Sequence, residues 1–222
     1  MPEIKLSDLQ EVKNPALENF RDIAPENGTT AADARGYWNE VFNDRQGEEQ
    51  TGNAEVAGDR PYYDDNGKLY RKGDNLEPDS KFEVRGYTYT TDKLGRVTSA
   101  EGKLRERAPE HNPEQERRNM DKMDAVGKGD QKEGDDRGHL IALRFDGSGG
   151  IENLSPMASE LNKKDYAALE NKLADAVAGG ADVRLKVEPK YEGDSNRPAE
   201  YKVSYSIDGE RDVVTFRNGR EE

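Results

Sequence analysis

The chain has 222 residues, of which 36% are charged and only 32% hydrophobic, with a formal net charge of −13 and no cysteine. That length suits one large domain or a domain with an extension, and so lean an apolar fraction leaves part of the chain packed loosely or not at all. A disulfide framework and a thiolate metal site are excluded, no apolar run approaches the roughly 18 residues of a membrane span, and the apolar stretch of a signal peptide does not follow Met1-Pro2-Glu3-Ile4-Lys5. Residues 1–80 carry −9 and residues 81–222 only −4. No global basic field is therefore available to draw in nucleic acid, which counts against nucleic-acid binding as far as composition goes.

Along the chain, residues 1–28 have scattered apolar side chains and two prolines, Pro15 and Pro25, and suit a short helix or an extended arm. Thr29 and Thr30 can cap a helix from Ala31 to about Asn43. Its stripe of Tyr37, Trp38, Val41 and Phe42 faces a core more readily than a ligand. Residues 44–60 are polar and Gly-rich, as in a linker. Residues 1–60 thus form an acidic N-terminal extension, and residues 61–222 the domain that follows.

From Pro61 the pattern turns to strands. Tyr62 to Tyr70 turn back at Asn66-Gly67. Lys81 to Thr90 alternate apolar and polar, the mark of one half-buried strand, and Asp92-Lys93-Leu94-Gly95 turns into a partner over Arg96–Ala100. Residues 101–134 are charged throughout, with an exposed helix from Glu114 to Val126. His111 sits between prolines with no buried element to orient it. A strand after His139 runs to about Phe145, and Gly147-Ser148-Gly149-Gly150 makes a turn. A long helix comes next, from near Ser159 to Ala178, with apolar positions Leu161, Ala168, Leu169, Leu173, Ala174 and Val177, and Gly179-Gly180 ends it. Val183–Val187, Tyr201–Ile207 and Val213–Phe216 close the chain as an antiparallel meander. The layout is α+β, a sheet carrying helices on one side.

One stretch stands out, Asp135-Asp136-Arg137-Gly138-His139-Leu140-Ile141, which holds one of two histidines in the chain. A histidine where a charged turn meets a buried run can be held by the core while its other side faces a substrate. Its unperturbed pKa is the closest to neutral of any side chain. By position alone, a half-buried histidine capping a strand explains it as well. Asn153 lies in Asn-Leu-Ser-Pro-Met, where a Pro-Met exit suits a fixed turn. Asn162 opens the long helix and Glu170 comes eight residues later. That spacing is about 80° beyond two helical turns, so the two share a side. Each has a plain structural reading too, a helix cap and a solvated acid. Together they suit a magnesium ion that keeps most of its water. A histidine base beside such an ion is a minimal kit for phosphodiester hydrolysis.

The order Asp136-Arg137-Gly138-His139, then Asn153-Leu154-Ser155-Pro156-Met157, then Asn162 and Glu170, resembles the DNA/RNA non-specific endonuclease family, with its ββα-metal fold and Asp-Arg-Gly-His signature. It is most similar to the branch found as C-terminal toxin domains of bacterial polymorphic secreted proteins, over roughly residues 82–218. The resemblance implies a nuclease domain over 61–222 in which a long helix carries the metal ligand beside a central antiparallel sheet. His139 corresponds to the general base, Asn162 to the ligand of Mg2+ (with Mn2+ as a substitute), and Glu170 to the acid that hydrogen-bonds the metal's waters. Asn153 corresponds to the asparagine that helps hold the site, and Arg137 supports the site or contacts phosphate. Arg144, Lys163 and Lys164 are phosphate contacts on charge and nearness only. The resemblance further implies cleavage of DNA, with RNA open, to 5′-phosphate and 3′-hydroxyl ends. It implies a secreted or injected antibacterial toxin with a cognate immunity protein, and a delivery or docking role for residues 1–60. Two other readings stand beside it: a catalytically silent nuclease-like module that binds nucleic acid or protein, and an adaptor whose working part is the acidic N-terminal region.

Overall fold

Alternating side chains build most of the molecule, and a few buried polar side chains decide where the alternation stops. The computed structural model describes residues 60–219. The arm over 1–28, the helix from Ala31 with its Trp38 stripe, and residues 44–59 of the linker lie outside the described residues. The described residues begin with a three-stranded antiparallel sheet of β1 (Pro61–Tyr63), β2 (Leu69–Lys72) and β3 (Asn75–Leu76). Its first turn falls at Asn66-Gly67, where Gly67 has φ +77°, a left-handed conformation that suits glycine. The buried Asp64 carboxylate accepts from the backbone N–H of Asn66 at 2.9 Å and of Lys68 at 2.8 Å. It also accepts from Glu83 N–H at 3.1 Å, which stitches this sheet to the next.

The main sheet has six strands in the order β11-β10-β9-β6-β5-β4, every neighbouring pair antiparallel. They are β4 (Lys81–Val84), β5 (Tyr87–Thr91), β6 (Val97–Lys103), β9 (Val183–Tyr191), β10 (Pro198–Ile207) and β11 (Glu210–Arg217). The single strand expected over Lys81–Thr90 is a hairpin. Arg85 and Gly86 take φ of 53° and 69°, the two left-handed residues of a primed turn. The Asp65 carboxylate accepts from both their N–H groups, at 3.1 and 2.7 Å. The alternation itself changes phase there, from Phe82 and Val84 to Tyr87 and Tyr89, and the turn restores facing pairs, Val84 with Tyr87 and Phe82 with Tyr89.

β7 (Asp135–His139) and β8 (Leu154–Ala158) form a separate antiparallel pair. The strand expected after His139 ends on it instead. Leu140, Ile141 and Ala142 are buried, and a 3-10 turn over Leu143–Phe145 comes next. An apolar run normally needs a strand partner for its backbone; here side chains take that place, chiefly Asn153 and Tyr166. The one helix expected over Glu114–Val126 is two, α1 (Pro113–Asn119) and α2 (Met123–Gly127). They part at Met120-Asp121, whose carbonyl oxygens both accept from Arg137.

The long helix runs from α3 (Ser159–Leu161) through a π-helical segment, Asn162–Tyr166, into α4 (Ala167–Ala178). The π segment holds one residue more per turn than α-helix, so the buried positions run Leu161, Tyr166, Leu173. Ala168, expected on the apolar face, is exposed, because the shift in phase gives its place to Tyr166. The inner face of the sheet presents Tyr87, Tyr89, Val187, Tyr201 and Val203, which form one core with Ile141, Met157, Tyr166 and Leu173. The α+β layout is as expected, and β7, β8 and the helix after them make a ββα unit.

β7 is pinned to the residue just before β10 by a buried ion pair. Arg197 donates Nε to Asp135 Oδ2 at 2.7 Å and Nη2 to Oδ1 at 2.9 Å, with side chains 8% and 2% exposed. Removing one partner leaves a buried charge uncompensated, so Arg197→Ala is expected to cost about 3–5 kcal/mol of unfolding free energy. Replacing both partners by apolar residues is expected to cost far less. Urea denaturation of the three variants checks the difference.

Candidate active site

His139 is the last residue of β7 and stands opposite Leu154 of β8. A single side chain locks the backbone that leaves it. Asn153 is wholly buried; its Oδ1 accepts from Ile141 N–H at 2.9 Å, and its Nδ2 donates to the carbonyls of Ile141 and Ser148, both at 2.8 Å. Leu140 N–H donates to Asn153 O at 2.8 Å, and Tyr166 Oη donates to Leu140 O at 2.9 Å. The backbone groups of the apolar run are thus satisfied without a strand. Gly147 makes this fold-back possible, since a Cβ there would lie 1.9 Å from Ile141 O.

The motif residues divide their work along β7. Arg137 Nη1 donates to Met120 O at 3.3 Å and Asp121 O at 3.0 Å, which turns it towards protein backbone. Asp136 reaches the helix. It accepts from Asn162 Nδ2 at 3.2 Å and pairs with Lys163 Nζ at 3.1 Å, while Lys163 also donates to Ser159 Oγ at 2.6 Å. Burial alone would raise the Asp136 pKa, but the bonds from Asn162, Lys163 and Ser159 outweigh it and hold the carboxyl below its ordinary range. Because Asn162 spends its Nδ2 on Asp136, its Oδ1 is the atom left to face a ligand.

Glu170 lies on α4, half-buried. Burial pushes its pKa up to about 7, with Arg144 pulling the other way. The π segment improves its alignment with Asn162. One extra residue in the turn removes about 100° of rotation between them, leaving roughly 20° of offset in place of about 80°. Arg144 is exposed, donates Nη1 to Asn171 Oδ1 at 2.7 Å, and accepts Arg107 N–H on its carbonyl at 2.9 Å. Lys164 pairs along the helix with Glu160 at 2.9 Å, away from the motif strand.

His139 is half-buried, and its Nε2 is buried with no hydrogen-bond partner. Burial lowers its pKa to about 4, helped by the charges of Arg137 and Arg117. At neutral pH the ring is uncharged and Nε2 needs a partner. Such an orphaned group costs on the order of 1–3 kcal/mol unless a ligand or water supplies one. The two titrating groups of the site are pushed apart, His139 down and Glu170 up, the pattern of an assigned base and acid.

The residues leave room for a metal ion held mainly by its own water. Asn162 Oδ1 is a neutral oxygen with no bond from a described residue, and Glu170 is a desolvated carboxyl on the same helical face. Among the described residues no three of His, Cys, Asp and Glu come together as a ligand cluster. An ion held there would have few protein ligands and keep much of its water, which suits magnesium.

Several contributors had weak sequence signals. Asp136 was legible only as part of the motif, and Tyr166 was hidden because it lies five residues from Leu161 rather than three or four. Arg107, whose Nε is buried without a partner, and Arg117 were lost among the charges of 101–134. His111, expected to lack a buried orienting element, has one: its Nδ1 bonds the buried Asp146 carboxylate, which also pairs with Arg105 at 2.9 Å. Composition argued against nucleic-acid binding, yet Arg117 and Arg137 act on His139 and Arg107 adjoins Arg144. Local clustering supplies the cations that the net charge conceals.

A model described as DNA/RNA non-specific endonuclease matches residues 78–209. The Type VII secretion system protein EssD of Staphylococcus aureus (strain USA300) is 37% identical over 107 residues, which cover 46% of this chain. The homologue of strain NCTC 8325 / PS 47 matches equally. These matches span only 17% of the length of those relatives. Among solved structures, an extracellular endonuclease has a TM-score of 0.44 at 18% identity, covering 62% of this chain and 81% of its own. A structure of Sda1 nuclease with bound zinc ion has a TM-score of 0.42 at 17% identity, covering 60% of this chain and 75% of its own.

The chain has two histidines, so imidazole NMR resolves the site directly. His139 is expected to titrate with a midpoint near 4. Its folded pKa lies below the unfolded value of 6.5, so the unfolded chain takes up the extra proton and stability falls as pH drops from 6.5 towards 4. Glu170 acts in the opposite sense. Its pKa is raised from 4.5 to about 7, so its contribution to stability falls as pH rises through that window. A His139→Gln variant should lose the first dependence and keep the second, as measured by denaturation across pH.

Proposed function

Since this chain belongs to the DNA/RNA non-specific endonuclease family, we propose that it is a magnesium-dependent nuclease in which His139 is the general base and Asn162 holds the metal. The enzyme is a hydrolytic nuclease, and nucleic acid is its substrate. The observation that carries the assignment of roles is the buried, uncharged His139 Nε2 without a partner. A neutral imidazole is ready to accept a proton from water at physiological pH; it becomes imidazolium as the water attacks and gives the proton up before the next turnover. Asn162 Oδ1 would hold the ion, oriented by Asp136. When bound, the ion supplies neutralisation of the charge that develops on the phosphate.

The remaining residues act on position. Asn153 fixes the backbone that leaves His139, and Arg137 fixes the Met120-Asp121 segment while lowering the His139 pKa by its charge. Glu170 hydrogen-bonds water around the ion and ionises more readily once a cation is near. Arg144 contacts substrate phosphate at the open side, and Lys163 does so when it leaves Asp136. Lys164, turned towards Glu160, contributes little.

Residues 61–222 are the catalytic domain, and residues 1–60 serve delivery or docking. Similarity to relatives named as type VII secretion system proteins supports secretion or delivery into a target cell. The proposal extends to an antibacterial toxin that its producer restrains with an immunity protein, on the motif order that resembles secreted toxin domains. DNA is the substrate proposed first, with RNA as a second.

Digestion of plasmid DNA and of RNA with magnesium tests the reading. His139→Ala is expected to lower the rate about 10²–10⁴-fold while the variant still unfolds cooperatively on heating. Binding retained in chelator with no turnover on either polymer would instead identify a silent module. Metal binding gives a second readout: at pH 7 magnesium should release protons from Glu170, whose pKa is about 7. Calorimetry in buffers of different ionisation enthalpy measures that release, and Glu170→Gln should abolish it.

A further inference from the structure

The small sheet of residues 61–76 lies before the 78–209 segment that matches the family model, yet one of its side chains is joined to the site through Asp121. Arg71 of β2 is only 4% exposed. Its Nη2 donates to Asp121 Oδ1 at 3.0 Å, its Nη1 bonds Oδ2, and its Nε bonds Gly73 O. The guanidinium lies 4.3 Å from the centre of the Tyr62 ring, with Asp74 at 3.5 Å. Two opposed acids and a ring thus hold it in one place.

Asp121 passes this on by two routes. Its Oδ2 also accepts Ile151 N–H at 2.8 Å, its N–H donates to Gly149 O at 3.0 Å, and Gly150 O in turn accepts Asn153 N–H at 2.9 Å. That route ends on the side chain locking the exit from His139. The other is its own carbonyl, which with that of Met120 receives Arg137 Nη1, the cation that acts most on the His139 pKa after burial.

We infer that Arg71 is a positioning residue for the active site, acting through Asp121 on Arg137 and on the loop that carries Asn153. It touches neither substrate nor metal. A purely stabilising role is a poor account of it, because a buried ion pair gives no more stability than apolar residues of the same size. A forked arginine fixes geometry better than they do. The catalytic importance of the position rests on the proposed nuclease activity; the contact chain does not.

The test uses the full 222-residue chain with Arg71→Met, Arg71→Lys and Asp121→Asn, each subjected to His139 imidazole NMR, thermal unfolding and cleavage with fixed magnesium. The NMR midpoint needs no turnover. Loss of the Arg71 fork frees Arg137, weakens its field at His139, and should raise the His139 midpoint by roughly half a unit, with Arg117 still opposing protonation. Arg71→Lys should fall between wild type and Arg71→Met, and it decides the matter if Arg71→Met does not fold. The rate per folded molecule should drop on the order of 10- to 100-fold. Arg71→Met combined with Asp121→Asn should be no worse than the more damaging single change. Unchanged His139 midpoints, with only a lower unfolding temperature, would overturn the inference whether or not the protein cleaves. Failure of wild type to cleave, with the midpoint moved as stated, would sink the nuclease reading alone.

Discussion

The buried amide of Asn153 is the interaction on which the rest of the site depends. A histidine at the end of a two-stranded hairpin would ordinarily lead into a loop free to move. Here the next residues are apolar and must be buried, which strands their backbone groups away from water. One asparagine side chain, with two donors and an acceptor, satisfies the Ile141 N–H, the Ile141 carbonyl and the Ser148 carbonyl at once. Tyr166 satisfies the Leu140 carbonyl. Each bond is modest in net terms, but leaving any one unmade inside the core costs the whole desolvation of that group. The loop therefore has one conformation, and His139 inherits it.

From that fixed point the electrostatics follow. His139 is half-buried at one end of the hairpin, with its Nε2 enclosed and arginines beyond it, and both effects favour the neutral ring. Glu170 is desolvated on the helix that packs over the same hairpin, with Arg144 as the opposing charge, and desolvation wins. The π-helical turn between Asn162 and Tyr166 serves both needs. It brings Tyr166 into the core, where it meets Tyr201 and Phe216, and it swings Asn162 round towards the face that carries Glu170. Such turns cost hydrogen-bond geometry and recur at functional sites. Here the cost is offset by a buried tyrosine whose hydroxyl closes the loop after His139.

The outer elements lock the arrangement from both sides. Asp135 with Arg197 ties the start of β7 to the residue just before β10, and Asp121 with Arg71 ties the break between α1 and α2 to the small sheet. Both pairs are forked and mostly buried, so each holds a distance and an orientation rather than adding much stability. Arg105 pairs with the buried Asp146 beside the 3-10 turn, and His111 bonds the same carboxylate. A chain this rich in charge spends part of it indoors, as struts between short elements that have little apolar surface of their own.

The sequence by itself determined the α+β class, the hairpin at Asn66-Gly67, the end of the long helix at Gly179-Gly180 and the closing meander. These follow from local chemistry, namely alternation, turn residues and a glycine pair at a helix end. It also singled out His139, Asn153, Asn162 and Glu170, because a motif in a set order survives any reading of the fold between its parts. It misjudged the places where a distant side chain replaces a local rule. The apolar run after His139 is no strand, because Asn153 takes its backbone. The helix over Glu114–Val126 breaks because Arg137 and Arg71 claim Met120 and Asp121. The long helix changes phase because Tyr166 finds a carbonyl twenty-six residues away. Only the tertiary structure decided which way the pKa values of His139 and Glu170 move. A pKa depends on what surrounds a group in space, and burial was the largest cause in both.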